Sequence, residues 1–306
     1  MSADNPFLLP PRSVISFSGG RTSGLMLRRI LDAFGGKLPD DRKVIFCNTG
    51  KEREETLVFI DECSQRWGVP ITWLEYRWAG KHDLTEVGYS NASRAGEPFI
   101  DAIRARNYLP NPVARFCTVE LKMLTLNRYV RQGLGWETYT NAVGLRADES
   151  KRVAKATKPV VMEQYAELFV GGQKRRIKSG RPTGESVCFP LHSAGVTLDD
   201  VAEFWSGSDF DLQLTQDEGN CDLCFLKGAA KIIKIMRDRP DLAKWWIEAE
   251  TLIESKSGKG TFRSDRPRYS ELQLIATDQQ TGPGWLWSDN GNNGSCGEID
   301  ECRCTD

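Results

Sequence analysis

Along the first half of the chain, continuous apolar runs alternate with segments of helical period. "SVISF" leads through a glycine turn into a helix predicted over roughly 22–34. "KVIFCN" is a second buried strand, with a helix predicted over roughly 53–67 after it, and "ITWLEYRW" is a third strand. Apolar runs without polar alternation fit strands covered on both faces, and the strand–helix order predicts a parallel sheet with crossover helices. Residues 80–116 read as a short helix between loops, and "TVELKMLTLNRYVRQGL" as a helix ending near glycine. "ETYTNAVGLRADES" reads as a further strand running into a loop, and residues 171–187 as a basic, glycine-rich loop. "TLDDVAEFW" is a helix with Thr197 as its N-cap. Two more helices, over roughly 226–238 and 241–254, are split by Pro240, and the tail from 256 is expected to hold little regular structure.

With 306 residues the chain can hold one large α/β domain and an extra lobe. A net charge of −1 leaves any polyanion binding to local patches. Two such patches stand out: Lys174, Arg175, Arg176, Lys178 and Arg181, and Lys256, Lys259, Arg263, Arg266 and Arg268. No apolar run approaches the ~20 residues that span a bilayer, and the N-terminus lacks a signal-peptide pattern. A cytoplasmic location without membrane attachment is therefore expected. There the nine cysteines point to metal or redox chemistry rather than disulfides. Cys47 and Cys63 sit in periodic apolar segments and read as core. Cys117, Cys188, Cys221 and Cys224 lie near turns or helix starts, and Cys296, Cys302 and Cys304 crowd the last eleven residues. The only histidines, His82 and His192, have no motif partner, and Trp245-Trp246 reads as core.

The turn Ser18-Gly19-Gly20-Arg21-Thr22-Ser23 joins the first strand to its helix. Backbone N–H groups and a helix N-terminus there favour an anion. "NTGKEREET" (48–56) and "VGLRADESKR" (143–152) end two later strands, so three polar, glycine-containing segments converge on one crevice at the carboxyl ends. On SGGxxS at 18–23, NTG at 48–50 with Glu55-Thr56, and GxRxxES with a following arginine at 144–152, the chain resembles the PP-loop ATP pyrophosphatase superfamily. Within that superfamily it resembles the phosphoadenosine phosphosulfate (PAPS) reductase family. The match spans roughly 13–205, through "FPLHSAGVTLDDVAEFW".

The resemblance implies an adenine nucleotide alpha-hydrolase-like α/β fold, a parallel twisted sheet flanked by helices. It implies a nucleotide-binding domain over 1–205 and a helical, cysteine-bearing lobe and tail over 206–306. Ser18, Gly19, Gly20 and Ser23, with Arg21 and Thr22 in the same loop, would hold the phosphates of ATP or PAPS, and magnesium belongs to the same expectation. Asn48, Thr49 and Gly50 would lie near ribose and adenine. Gly144 opens the third motif, Arg146 and Arg152 would face the anionic end of the substrate, and Lys122 matches a family lysine there. Arg21-Thr22 stands where the common SGGKDS form has lysine and aspartate.

The family's iron–sulfur branch carries a cysteine pair near "CTVELK" and a later CxxC. This chain has Cys117 and the CxxC Cys221-Asp222-Leu223-Cys224, with Cys188 as replacement fourth ligand. Four thiolates suit a 4Fe–4S cluster or tetrahedral zinc. The tail lacks the ECG-x-H context of sulfonucleotide reductases. The expected function is adenylation of an acceptor followed by sulfur transfer. Reduction of PAPS or adenylylsulfate is the alternative, and a non-catalytic nucleotide- and cluster-binding sensor is the third reading. The expected partners are an adenine nucleotide, tRNA or DNA as acceptor, a sulfur or electron donor protein, and a second copy of the chain.

Overall fold

The structure is a computed structural model. It describes residues 5–157, the backbone of 165–170 and 173–178, residue 182, and residues 184–278 except 216, 217, 220, 258 and 259. A six-stranded sheet is built from β1 (Ser13–Ser16), β2 (Arg42–Asn48), β3 (Ile71–Trp78), β4 (His82–Val87), β5 (Tyr139–Val143) and, later in the chain, β8 (Glu185–Cys188). Its order is β4-β3-β2-β1-β5-β8. All pairings are parallel except the β3–β4 edge. Helices flank the sheet, giving the expected α/β architecture of a largely parallel sheet.

The order places the site. The chain runs β1-β2-β3 in one direction across the sheet and β5-β8 in the other, so the order reverses at β1. The carboxyl end of β1, beside that of β5, is the topological switch point where such sheets bind ligands. Helix α1 (Arg21–Ala33) starts there, and α2 (Glu54–Trp67) starts at the end of β2. Ile15, Phe17, Leu25, Phe46, Phe59 and Ile60 bury the joint between sheet and helices. The helix Leu198–Ser206 has the expected cap, Asp200 N–H donating to Thr197 Oγ1. Its Trp205 closes the same core and donates its indole N–H to Arg21 O at 2.8 Å.

A second core joins α3 (Glu97–Arg106) to the chain's later helices. Phe99, Phe116, Leu223, Phe225, Trp246, Phe262 and Tyr269 pack together. The segment from Phe116 to Gly133 is helical as expected, but passes through π-helical turns at Val119–Leu124 and Tyr129–Gly133. None of the described helices is long and apolar enough to cross a membrane.

Three expectations are corrected. Residues 80–116 contain α3 but also β4, a polar, half-exposed edge strand that hides its period because one face meets solvent. The basic 171–187 stretch is not simply a loop: β6 (Tyr165–Val170) and β7 (Gln173–Lys178) pair as an antiparallel hairpin, and β8 follows. Beyond 256, Tyr269–Thr277 is a helix whose Tyr269, Leu272 and Ala276 are buried.

Candidate functional site

The turn after β1 needs its first glycine. Gly19 has φ +80°, in the left-handed region, and a Cβ on it would stand 2.6 Å from Thr56 Cγ2 and 2.8 Å from Ile60 Cδ1. The loop therefore lies directly on the start of α2. Gly20 caps α1 in an extended conformation with no side-chain cap, which leaves the first-turn amides for an anion. Ser23 Oγ accepts from Ser18 N at 3.2 Å and donates to Gly20 O at 2.9 Å, closing the turn. The buried Thr56 Oγ1 has no hydrogen-bond partner among the described residues. Buried hydroxyls are usually hydrogen-bonded, so this one is an exception on the helix that Gly19 touches.

Arg21 does not face this loop's mouth. Its guanidinium pairs with Asp211 at 2.7 and 2.8 Å and donates to Leu214 O at 3.0 Å. The expected phosphate contact is thus replaced by a brace on residues 211–214, because the side chain leaves α1 toward that segment.

Asn48 ends β2 and shapes the next turn. Its Nδ2 donates to Glu75 Oε1 at 2.6 Å and Ser93 O at 2.9 Å, while its Oδ1 accepts from Gly50 N. Gly50, at φ +75°, lies with its Cα side against Gly96 and Pro98. Thr49 donates through N and Oγ1 to the buried carboxylate of Glu52, at 2.9 and 3.0 Å. Burial raises the Glu52 carboxyl above its ordinary value, and the Lys122 ammonium and the Thr49 donors pull against that rise.

The loop after β5 lies against the first turn. A Cβ on Gly144 would meet Ser23 Cα at 3.4 Å. Arg146 donates to Thr22 Oγ1 at 3.1 Å and to Asp148, and its own N–H goes to Glu149 Oε2. Arg152 pairs with the same Glu149. Thr22, expected near phosphate, thus has its hydroxyl engaged by Arg146.

Beside these loops is a second feature. Cys117, Cys221 and Cys224 line one cavity with Thr49, Thr118, Lys122, Phe99, Phe225, Leu226 and Trp246. The described cysteines are thiols, not disulfides. Cys188 is elsewhere. It ends β8 opposite Ala142 and packs against the sheet's core, and burial pushes its thiol up to about 11. The structure therefore brings together three of the four expected ligands and sets Cys188 apart, because β8 is the far edge of the sheet. No group of three or more His, Cys, Asp or Glu among the described residues is gathered tightly enough to hold a metal ion. The three thiols line the cavity without closing on one point. Cys47 and Cys63 are buried, as expected of core residues. Cys296, Cys302 and Cys304 lie outside the described residues.

The CxxC turn is held by residues that have no motif of their own. Buried Lys227 donates to Cys221 O and Asp222 O, each at 3.0 Å, and to Glu218 O. Arg266 donates to Lys227 O and Tyr269 OH to Leu223 O, both at 2.6 Å. Lys51, next to Gly50, pairs with Asp222 at 2.8 Å. The only signals in the sequence were adjacency: Lys51 follows the NTG motif, Asp222 stands inside the CxxC, and Lys227 closes "FLKG". The tail-side basic patch is largely engaged locally. Arg263 pairs with Asp265, Arg268 with Glu254, and Arg266 buttresses the cysteine turn. Side chains of the 174–181 patch and of Lys256 and Lys259 lie outside the described residues.

The family model described as phosphoadenosine phosphosulfate reductase domain matches residues 12–168, just over half of the chain. The chain belongs to the phosphoadenosine phosphosulfate reductase family. The match contains all three glycine-bearing loops and Cys117, and it ends before the CxxC. A similar curated protein is the uncharacterized nin region protein ORF290 of Escherichia phage lambda. It is 27% identical over 259 residues, which cover 80% of this chain and 77% of that protein. Among solved structures, the U34-tRNA thiolase NcsA from Methanococcus maripaludis with its 4Fe–4S cluster aligns at a TM-score of 0.40 and 13% identity. That alignment covers 94% of this chain and 80% of the other.

Proposed function

We propose that this member of the family binds an adenine nucleotide on the loop after β1 and carries out sulfur chemistry at the adjoining thiol cavity. One observation carries the proposal: the Asn48–Glu52 turn belongs to both places. Thr49 lines the thiol cavity, while the same turn leads into α2, whose Thr56 abuts Gly19 of the first loop. A nucleotide held at the first loop and a sulfur atom at the thiols would meet across this wall.

In this mechanism the uncapped amides of α1 and Ser18 and Ser23 hold the phosphates. Asn48, Thr49 and Gly50 form the wall near the ribose and adenine. Arg146, positioned by Asp148 and Glu149, keeps the third loop against α1 and presents positive charge to the anionic end of the substrate, with Arg152 behind it. The Lys122 ammonium offsets charge on nearby thiolates. The acceptor oxygen attacks the α-phosphorus of ATP and pyrophosphate leaves; hydrosulfide delivered by a donor protein then attacks the activated carbon, and the C–O bond breaks so that AMP departs with that oxygen.

Cys117, Cys221 and Cys224 would hold a 4Fe–4S cluster. The donor type suits it, three thiols in a cavity with apolar walls from Phe99, Phe225 and Trp246, and binding would have to draw the thiols together from their present spread. Thiols spread around a cavity suit a multi-iron group better than a single tetrahedral zinc, which needs four donors at about 2.3 Å. When bound, such a group supplies a redox-active, sulfide-binding centre. A polyanionic acceptor, tRNA or DNA, would approach along the hairpin that bears Lys174, Arg175, Arg176 and Lys178.

Sulfonucleotide reduction is the second reading, favoured by the family match itself. One experiment separates the two. The anaerobically purified chain is given ATP with bulk tRNA or denatured DNA and a sulfide source, or PAPS with a thiol reductant. AMP and pyrophosphate with thiolated nucleic acid support sulfur transfer, and sulfite with adenosine 3′,5′-bisphosphate supports reduction. Tight nucleotide binding with neither product would leave the sensor reading.

A further inference from the structure

We propose that Lys51 is a positioning residue that, through Asp222, ties nucleotide occupancy to the state of Cys221 and Cys224. The proposal rests on the adenine-nucleotide reading above. Lys51 Nζ meets Asp222 Oδ2 at 2.8 Å, and both side chains are buried. The ammonium also lies 5.1 Å from the centroid of the Trp245 ring. The other oxygen of Asp222 accepts from Trp246 Nε1 at 2.8 Å and from Leu223 N at 2.6 Å.

The backbones are joined as well. Asp222 N donates to Lys51 O at 2.9 Å, and Glu52 forms an isolated antiparallel bridge with Cys221. Asp222, the first of the two residues between the cysteines, is therefore fixed, by main chain and side chain, to the residue that follows Asn48-Thr49-Gly50. A Cβ on Gly96 would stand 2.4 Å from Trp245 Nε1 and 2.9 Å from Lys51 Cδ, so the packing around the latch has no slack.

Stability does not account for this pair. A buried ion pair contributes little over a well-packed apolar replacement, because desolvation offsets the attraction. What it does supply is a single orientation. A ligand that moves or stiffens the Asn48–Gly50 turn must then bias the CxxC turn, and by linkage the bias is reciprocal.

The test uses the full chain, stripped of metal with a chelator. Iodoacetamide alkylation is followed at each cysteine by mass spectrometry, with and without ATP, while calorimetry measures ATP binding to the same samples. In the wild type, ATP is expected to slow alkylation of Cys221 and Cys224 by about tenfold, within the usual span of site–site coupling, and to leave Cys188 unchanged. In the Lys51→Met/Asp222→Asn double variant, in which both partners are neutral, ATP still binds but protection falls below about twofold. Lys51→Arg, which keeps the charge, restores at least half of it. A merely structural role would lower thermal stability without removing the dependence on ATP.

Should the double variant not fold, Asp222→Asn alone and the wild-type comparison carry the test. The proposal is overturned if ATP binds and both cysteines react as before, or if the double variant keeps full protection. Loss of the nucleotide reading has a different signature: no calorimetric binding of ATP or PAPS to the wild type, which overturns both.

Discussion

Arg146 Nη1 donates to Thr22 Oγ1 across 3.1 Å, joining the loop after β5 to the first turn of α1. The two residues are 124 positions apart, and parallel pairing of β1 with β5 brings them together. Asp148 and Glu149 hold the rest of the guanidinium and the Arg146 N–H. The arginine therefore arranges the nucleotide crevice through its neighbours as much as it offers charge.

Arg146→Ala should weaken ATP binding by about tenfold and destabilise the chain by about 1–3 kcal/mol, the cost of losing charged hydrogen bonds and leaving their acceptors unmatched. Arg146→Lys should recover little, because an ammonium cannot reproduce the planar fork. Calorimetry and urea unfolding read the two effects separately. Unchanged ATP affinity in both variants would remove Arg146 from the site.

Gly19→Ala tests the first turn itself. The substitution places a Cβ in left-handed backbone, at about 1–2 kcal/mol, and drives it into Thr56 and Ile60 of α2. Thermal unfolding should drop by several degrees and ATP binding should fall with it. A variant as stable as the wild type would mean that the loop does not lie on α2.

Cys188 should behave as a core thiol. Burial pushes it up to about 11 from an ordinary value of 9.0, so at pH ~8 its thiolate fraction falls about a hundredfold. Cys47, pushed up to about 12 by burial, should be slower still. Site-resolved alkylation of the folded chain checks both. Cys188 reacting as fast as a small-molecule thiol would contradict its placement against the sheet.

Glu250 provides a pH signature for the lobe. It accepts from Phe262 N and Tyr269 N, yet burial raises its carboxyl above the ordinary value of 4.5. A group whose folded value is raised contributes stability that is full below the unfolded value and is lost as pH climbs through the folded one. Relative to Glu250→Gln, the wild type should therefore lose stability as pH climbs above about 4.5. Urea unfolding of both chains across that range measures the difference. A flat or rising difference would show that the hydrogen bonds outweigh burial.

The central sheet was legible because β1, β2 and β3 are apolar runs followed by turn residues, a pattern set by burial on both faces. β4 was not, since "HDLTEV" pairs at an edge and keeps its polar side outward. The helix Tyr269–Thr277 is short and follows a stretch of serine, glycine and arginine, so its three buried residues carry the only signal. Cys221 and Cys224 stood out by local spacing and Cys117 by the resemblance at "CTVELK", but neither says which strand bears Cys188 or where that strand pairs. Lys51–Asp222 and Arg146–Thr22 are products of tertiary approach, and no local pattern marks them.

The most direct test is iron, acid-labile sulfide and zinc analysis of the anaerobically purified chain beside its Cys117→Ser, Cys221→Ser, Cys224→Ser and Cys188→Ser variants. About four irons and four sulfides per wild-type chain are expected, as for a 4Fe–4S centre. Most iron should be lost in each of the first three variants and fully retained in Cys188→Ser. Zinc in place of iron, or iron that depends on Cys188 and not on Cys117, would contradict that assignment.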